Sequence, residues 1–561
     1  MTRNPIEWRK HELSWEVGGN PASPGTVAGL VMRLGPAPVL PVTPPDPGPV
    51  DWEVAAAIGA IESVAADLEA RSRDLVGEAR DILHTQVMMA RDPGLADGIR
   101  AAVQEGKPAA WGVHDAFATY LDALGSVGGY LGDRVSDLVD LRDRVIAALL
   151  GVPAPGIPES AHPFVLVAVD LAPADTVTLD PARVLAIVTE KGGPTSHTAI
   201  LARALGIPAV VGCVEASRLT DGDQVVVDGA RGVVVLNPRE EQLTRAARES
   251  DAQRQALARY SGPGATSDGH PVKLLLNIGG AGDLSAAAAA DAEGVGLFRT
   301  EFLFLDRATA PTVAEQRAAY GQVFSAFDGR PVVVRTLDAG ADKPVPFAND
   351  DTEPNPALGV RGYRIAQRKP ELLSEQLTAI ALAAQDYDAD VRVMAPMIAT
   401  AAEAREFVAQ ARAAGIGTAG VMIEIPAAAL RAKEILAEVD FVSIGTNDLS
   451  QYTFAADRLL GDLGPLLDPW QPALLELVRS VADAARQVGK PAGVCGEAAG
   501  DPGLALVLAG MGITSLSMSA PAVPAVRAAL REHTLGTCAG FAEQALRAAG
   551  AGAARSRVLG P

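Results

Sequence analysis

From about residue 263 onward the chain alternates eight short apolar runs with longer helical stretches, a pattern that few folds accept. The runs are 273–279, 294–299, 331–338, 391–398, 420–426, 440–448, 491–497 and 513–519. Eight strands with intervening helices in this length predict a TIM-type (β/α)8 barrel. A doubly wound open sheet carries the same alternation, and strand count alone does not separate the two.

Polar and charged residues gather at the C-terminal ends of these runs. Arg299 ends the second, in GLFRTEF, and Arg335 the third, in VVVRTLDAGADKP. Glu424 ends the fifth, in VMIEIPAA, and Asn447 and Asp448 follow the sixth, in SIGTNDLSQYTFAADR. Cys495 and Glu497 end the seventh, in GVCGEAAG. In a barrel, that face is where active sites are built. A charge at the end of an apolar strand needs a reason, because an unpaired buried charge is costly. Structural arginine–carboxylate pairs account for any one position. They account poorly for a cysteine, a TND turn and two arginines on one rim.

A second informative stretch lies upstream, GGPTSHTAILARALGIPAVVG at 192–212. A glycine pair leads into His197, flanked by hydroxyls, and a short helical pattern follows. The histidine then falls near a helix N-terminus, where unpaired N–H groups favour an anion. A neutral imidazole placed there can attack phosphorus and carry the phosphoryl group covalently. An isolated histidine in a polar loop is more often only a cap or a loop residue; the whole string is more specific than its histidine.

The chain's length of 561 residues calls for several domains. The expected plan is an α/β multidomain protein. Residues 1–15 form an extension, and 16–50 with 151–238 an α/β domain bearing His197. Residues 51–150 form a helical bundle inserted into that domain, 239–262 a polar linker helix, and 263–550 the barrel. Seven prolines between 36 and 49 mark the entry to the bundle, and GVPAPGIPES at 151–160 marks its exit.

Hydrophobic content of 48% and charged content of 21% read as globular. A net charge of −20 argues against nucleic-acid binding, and any anionic substrate must meet locally concentrated arginines. Three scattered cysteines form no disulfide framework, which points to a reducing compartment. The opening MTRNPIEWRKHEL has no apolar signal core. Glycines, serines and prolines interrupt the uncharged stretch 503–526, which reads as a helix end, a strand and a loop, with no membrane insertion. The expected location is cytoplasmic.

The histidine string resembles the phosphohistidine segment of the PEP-utilising enzymes: Enzyme I of the bacterial sugar phosphotransferase system, pyruvate phosphate dikinase and PEP synthase. The barrel strings, with ASPG near the start and LVAVDLAPADT before the histidine segment, are most similar to Enzyme I, over about residues 20–545. The resemblance implies that His197 accepts the phosphoryl group of phosphoenolpyruvate and passes it to a small histidine-containing phosphocarrier protein, with release of pyruvate. It implies that Arg299, Arg335, Arg361 and Arg458 bind substrate with Asn447 and Asp448. It implies further that Glu424 and Asp448 hold Mg²⁺ and that Cys495 is the proton donor. A phosphate and a carboxylate in one substrate suit several guanidinium forks, and Mg²⁺ takes carboxylate and substrate oxygens together. A homodimer through the barrel and a swivel between domains are also implied. Lys343 lies in a matching GADKP loop without an assigned role. The chain departs from the family after Arg458, reading ADRLLGDLGPLLDPWQPALLEL, which implies an altered loop there.

Two other functions compete. An ATP-dependent PEP synthase or dikinase needs a large nucleotide-grasping domain, and no G-x-x-x-x-G-K-[ST] string is present. A non-catalytic PEP sensor would not need the proposed functional positions intact.

Overall fold

The computed structural model describes residues 14–72, 83, 86–127, 135–158, 160–171, 179–193, 196–279, 284–305, 307, 309–340, 345–349, 353, 355–387, 389–457 and 461–560. They fall into two compact units that divide near residue 249.

The first unit is built on one mixed sheet of eight strands. These are β1 (Trp15–Gly18), β2 (Asn20–Ser23), β3 (Thr26–Arg33), β4 (Phe164–Ala168), β5 (Val184–Thr189), β6 (Ala209–Val211), β7 (Gln224–Asp228) and β8 (Val233–Leu236). The spatial order is β1-β8-β7-β3-β4-β5-β6-β2, with β3 to β6 parallel and the flanking pairs antiparallel. Every residue of β4 is buried, as a strand covered on both faces requires. The hairpin read at 224–236 is β7 and β8, paired antiparallel.

Between β3 and β4 the chain leaves the sheet. The proline-rich stretch 36–49 holds no helix or strand, because proline lacks the N–H that either ladder needs. Helices follow at Val50–Ser72, Pro93–Gln104, Ala109–Val127 and Val135–Leu150. They bury a shared core that includes Leu68, Ile99, Phe117, Leu141 and Val145. The Pro93-Gly94 break in the helical pattern is a new start: Asp92 accepts from the N–H groups of Gly94 and Leu95, and Pro93 occupies the first turn. Within the bundle, Asp140 accepts at one oxygen from Arg144 at 2.8 Å and from Gln86 at 3.2 Å, so the buried carboxylate is paired.

The polar run read at 239–260 is a single helix, Glu240–Arg259. Beyond it the chain closes the expected barrel. Its strands are β9 (Lys273–Ile278), β10 (Val295–Phe298), β11 (Pro331–Arg335), β12 (Asp390–Ala395), β13 (Thr418–Ile423), β14 (Val442–Ile444), β15 (Ala492–Val494) and β16 (Ser515–Met518). All neighbours are parallel, and β16 pairs back onto β9, which excludes the open sheet. The strands end earlier than the apolar runs suggested. The run 440–448 pairs only to Ile444; Thr446–Phe454 is a helix, so Asn447 and Asp448 lie in its first turn. Residues past each strand end leave the ladder to form the barrel rim.

Two apolar layers surround the sheet. Outward-facing residues such as Val295, Phe298 and Ile423 pack against the helices. Leu297, Val333, Met394, Met422, Phe441 and Cys495 fill the inside. The stretch 503–526 holds the helix Pro502–Met511, then β16 and the start of Val523–Glu532. No helix among the described residues is long and apolar enough to cross a membrane.

Trp470 is fully buried in this unit. Its indole N–H donates to Asp501 at 3.0 Å, and the other oxygen of that carboxylate caps the helix Pro502–Met511. Arg555 lies over the ring at 5.8 Å and pairs with Asp468 at 3.2 Å. Replacing Trp470 by Ala removes the largest fully buried side chain among the described residues and takes the indole donor from a partly buried oxygen of Asp501. The barrel unit is expected to lose about 3–5 kcal/mol of stability. Urea unfolding followed by circular dichroism checks this; an unchanged midpoint would contradict the packing described.

Candidate active site

The C-terminal rim of the barrel carries a ladder of alternating charges. Glu301 follows β10, and its Oε1 pairs with the Nη2 of Arg335 at 3.0 Å. The Nη1 of Arg335 reaches Oδ2 of Asp338 at 2.9 Å. That same oxygen accepts from Nη2 of Arg361 at 3.2 Å, and Nη1 of Arg361 donates to Oδ1 of Asp448 at 3.0 Å. Tyr452 adds a contact to Arg361 at 3.3 Å. Side-chain exposure nowhere exceeds 11% along this ladder, so its charges lie largely outside solvent screening. Burial opposes the charge on both guanidiniums, but the surrounding carboxylates outweigh it and hold them firmly protonated.

Glu424 follows β13 and is fully buried. Its Oε1 accepts from the N–H of Met397 at 2.6 Å. Met397 adopts φ 59°, a left-handed conformation unusual for a side-chain-bearing residue, and its amide is thereby aimed at the carboxylate. A Cβ on Gly362, itself at φ 57°, would meet Met397 at 2.8 Å, so that approach requires glycine. Gly445 is constrained in the same way: a Cβ there would stand 3.0 Å from Oε2 of Glu424. Burial and the negative charges of Asp448 and Asp338 push the Glu424 carboxyl well above the usual carboxylate range, against Arg335 and Arg361.

The ladder leaves polar atoms over. Oε2 of Glu424, Oε2 of Glu301, Nε of Arg335 and Nε of Arg361 are buried without a hydrogen-bond partner. Spare oxygens and spare donors in one mouth suit a cation together with an anion. Among the described residues no three histidine, cysteine, aspartate or glutamate side chains group around one point. A metal held by Glu424 and Asp448 would therefore take its remaining oxygens from water or substrate, which is the habit of Mg²⁺.

Arg299 follows β10, its backbone N–H bonded to Ile278, with its side chain half-buried. The amide of Asn447 faces Glu497: its oxygen accepts from the Glu497 N–H at 3.1 Å, and its Nδ2 lies 3.4 Å from that carboxylate. Cys495 follows β15 at 3% exposure inside the apolar layer, with its thiol 3.6 Å from the carbonyl of Ile444. Burial pushes that thiol up to about 11; a hydrogen bond with Ser443 and the positive charges of Arg335 and Arg299 act against the rise, and Glu424 adds to it.

The rim thus links Arg335 to Arg361 through their shared partner Asp338 and brings Arg361 onto Asp448 directly, with Glu424, Arg299, Asn447 and Cys495 on adjoining strand ends. Arg458 and Lys343 lie outside the described residues. The structural-pair reading of the arginines holds in part, since Arg335 and Arg361 are both engaged. Sequence reasoning missed Glu301, Asp338 and Tyr452. The strings RTEF and RTLD contained the two acids, each two or three residues past an arginine.

His197 opens the helix His197–Leu205 of the first unit. Ser196 is its N-cap, accepting from Ala199 at 3.3 Å, and Gly206 closes it at φ 68°. Thr198 is buried and donates to Asp170 at 3.3 Å, which ties the helix start to the end of β4.

With its pKa near 11, Cys495 holds its proton throughout the neutral range. At pH 9 only ~1% is thiolate, whereas an ordinary thiol is mostly ionised. Alkylation of the folded, metal-free protein at pH 9 should therefore leave Cys495 unmodified long after unfolded protein has reacted. Peptide mapping after iodoacetamide treatment reads this out, and equal labelling in both states would contradict it.

Three family models match in sequence: the PEP-utilising enzyme N-terminal domain at 18–134, its mobile domain at 161–232, and its PEP-binding domain at 253–535. A phosphoenolpyruvate-protein phosphotransferase of Streptomyces coelicolor is 53% identical over 95% of this chain and 97% of its own length. Proteins of the same description from Haloferax volcanii and Latilactobacillus sakei are 40% and 38% identical, over 85% and 84% of this chain and 86% of each relative. With matched domains in this order and identity at that level over nearly its whole length, the chain belongs to the PEP-utilising enzymes, in the phosphoenolpyruvate-protein phosphotransferase (Enzyme I) family.

Proposed function

We propose that the barrel mouth binds phosphoenolpyruvate and that His197 takes its phosphoryl group and passes it to a histidine of a small phosphocarrier protein. The observation that carries this reading is the rim ladder with its leftover donors and acceptors, on the segment matched to a PEP-binding domain. Arg299, Arg335 and Arg361 receive the phosphate and carboxylate, joined by Arg458, whose part rests on the family resemblance. Guanidiniums already held in place lose little freedom on binding. Asn447 contacts the substrate beside them.

A nitrogen of His197 attacks phosphorus, and the bond from phosphorus to the enol oxygen breaks. The electron pair of that bond leaves pyruvate enolate, whose methylene carbon takes the proton of Cys495 to give pyruvate. A solvent proton restores the thiol. The raised pKa of Cys495 keeps that proton on sulfur until a basic carbon arrives. Glu424 and Asp448 would hold Mg²⁺, which neutralises charge on the transferring group when bound. The second half-reaction requires the unit bearing His197, matched to a mobile domain, to serve both the barrel mouth and the carrier. The protein is expected to act in the cytoplasm as a homodimer assembled through the barrel.

Incubation with PEP labelled at phosphorus and Mg²⁺ should label the protein at His197, with acid-labile, alkali-stable phosphate. His197→Ala should abolish labelling. Cys495→Ala should slow pyruvate release by about 10²–10⁴-fold. Persistent labelling of His197→Ala, or labelling by ATP without PEP, would overturn the assignment.

A further inference from the structure

Behind the rim, a line of hydrogen bonds runs outward through four fully buried polar side chains, Thr300, Gln376, Tyr320 and Gln316. The hydroxyl of Thr300 donates to the carbonyl of Arg335 at 2.9 Å. The Nε2 of Gln376 donates to Thr300 at 3.0 Å and to the hydroxyl of Tyr320 at 3.1 Å. Its Oε1 accepts from the N–H of Leu337 at 2.9 Å. Tyr320 in turn donates to Oε1 of Gln316 at 3.1 Å, and Nε2 of Gln316 donates to the carbonyl of Pro311 at 3.0 Å.

The polarity of this line diverges from Gln376, toward the Arg335 carbonyl on one side and the Pro311 carbonyl on the other, and that fixes both amides. Thr300 and Tyr320 have one hydroxyl hydrogen each, and both hydrogens are already given onward. Turning the Gln376 amide over would face its oxygen with two committed hydroxyls and its NH₂ with the N–H of Leu337. Three bonds would be lost together. A buried network with every donor matched is rigid, and a barrel could fill the same space with apolar side chains. The backbone it holds is the informative part. Thr300 adjoins Arg299, the bonded carbonyl belongs to Arg335, and Leu337 lies between Arg335 and Asp338. Tyr320 also packs edge-on against Phe298 at the end of β10, with ring centres 6.1 Å apart.

We propose that Gln376, on the outer helix Pro370–Ala384 and away from the rim, is a positioning residue for the substrate arginines. It acts through Thr300 and Leu337, fixing the separation of the strand ends that carry Arg299 and Arg335. The inference rests on the reading of those arginines as PEP ligands. Misplacing reacting groups by an ångström from a distance is enough to cost about 10²-fold.

The test uses the full chain with PEP, Mg²⁺ and a purified histidine-containing phosphocarrier, following pyruvate. Gln376→Met keeps the side-chain length but not the amide. Thr300→Val keeps the shape but not the hydroxyl, and Thr300→Ser restores the hydroxyl. Gln376→Met and Thr300→Val should raise the KM for PEP about tenfold with kcat changed less than about threefold, and Thr300→Ser should stay near the parent. Phosphoryl exchange between the phosphorylated carrier and His197 should be unaltered in all three, which confines the defect to the PEP half-reaction, while the Thr300→Ser rescue separates lost positioning from general loosening of the barrel. Should Gln376→Met fail to fold, the Thr300 pair decides alone. An unchanged KM in folded Thr300→Val, equal defects in Thr300→Ser and Thr300→Val, or exchange falling in step with pyruvate formation would each overturn the proposal. No pyruvate from the unsubstituted protein would instead strike the PEP reading itself, and this inference with it.

Discussion

Charge alternation on a low-dielectric floor is the constraint around which the catalytic unit is organised. Glu301, Arg335, Asp338, Arg361 and Asp448 form one line of ion pairs drawn from three strand-end loops. Beneath it lies the apolar filling of the barrel, Leu297, Val333, Met394, Met422 and Cys495. Removing one partner from such a line leaves an uncompensated buried charge, which is strongly destabilising. The closed sheet therefore has to present all three loops together. It also means the mouth is not simply an electropositive bowl in a chain of net charge −20. The arginines are kept charged and oriented by acids, and their unused Nε donors remain for an incoming anion.

Glu424 is held differently. It belongs to no ion pair in that line, receives one backbone hydrogen bond and keeps a second oxygen without a partner in a fully buried position. The backbone goes to some lengths to arrange this, with Met397 in a left-handed conformation and Gly362 and Gly445 leaving room. A raised carboxyl beside Asp448 is an unfavourable arrangement that a divalent cation would relieve. Strain and desolvation of this kind are retained at sites where binding requires them.

The barrel was legible because its signal is local. Eight apolar runs mark eight strands, and the polar residues at the ends of five of them mark the rim, since a parallel strand buried on both faces has no other place for a charge. Strand ends were less legible. Asn447 and Asp448 looked like the tail of a strand but start a helix, because the apolar run says nothing about where the ladder stops. The partners of the arginines were not legible either. Asp338 lies in RTLDAG, where an aspartate reads as a turn residue, and its bond to Arg361 exists only once the loop after β11 folds back over the rim. Gln376 is harder still: a glutamine on an amphipathic helix reads as solvent-facing, and only the closed barrel shows it to be buried beside Thr300. The helix after His197 was legible through the glycine pair, the flanking hydroxyls and the helical pattern that follows; its caps, Ser196 before and Gly206 after, emerge only in the folded chain.

On the reading proposed above, the spare oxygen of Glu424, beside Asp448, receives a metal that binds together with the substrate. Calorimetric titration of PEP, with and without Mg²⁺, into the unsubstituted protein and into Glu424→Gln tests it most directly. Mg²⁺ should tighten PEP binding by about tenfold or more in the former and leave it nearly unchanged in the latter. The same Mg²⁺ enhancement in a well-folded Glu424→Gln protein would contradict it.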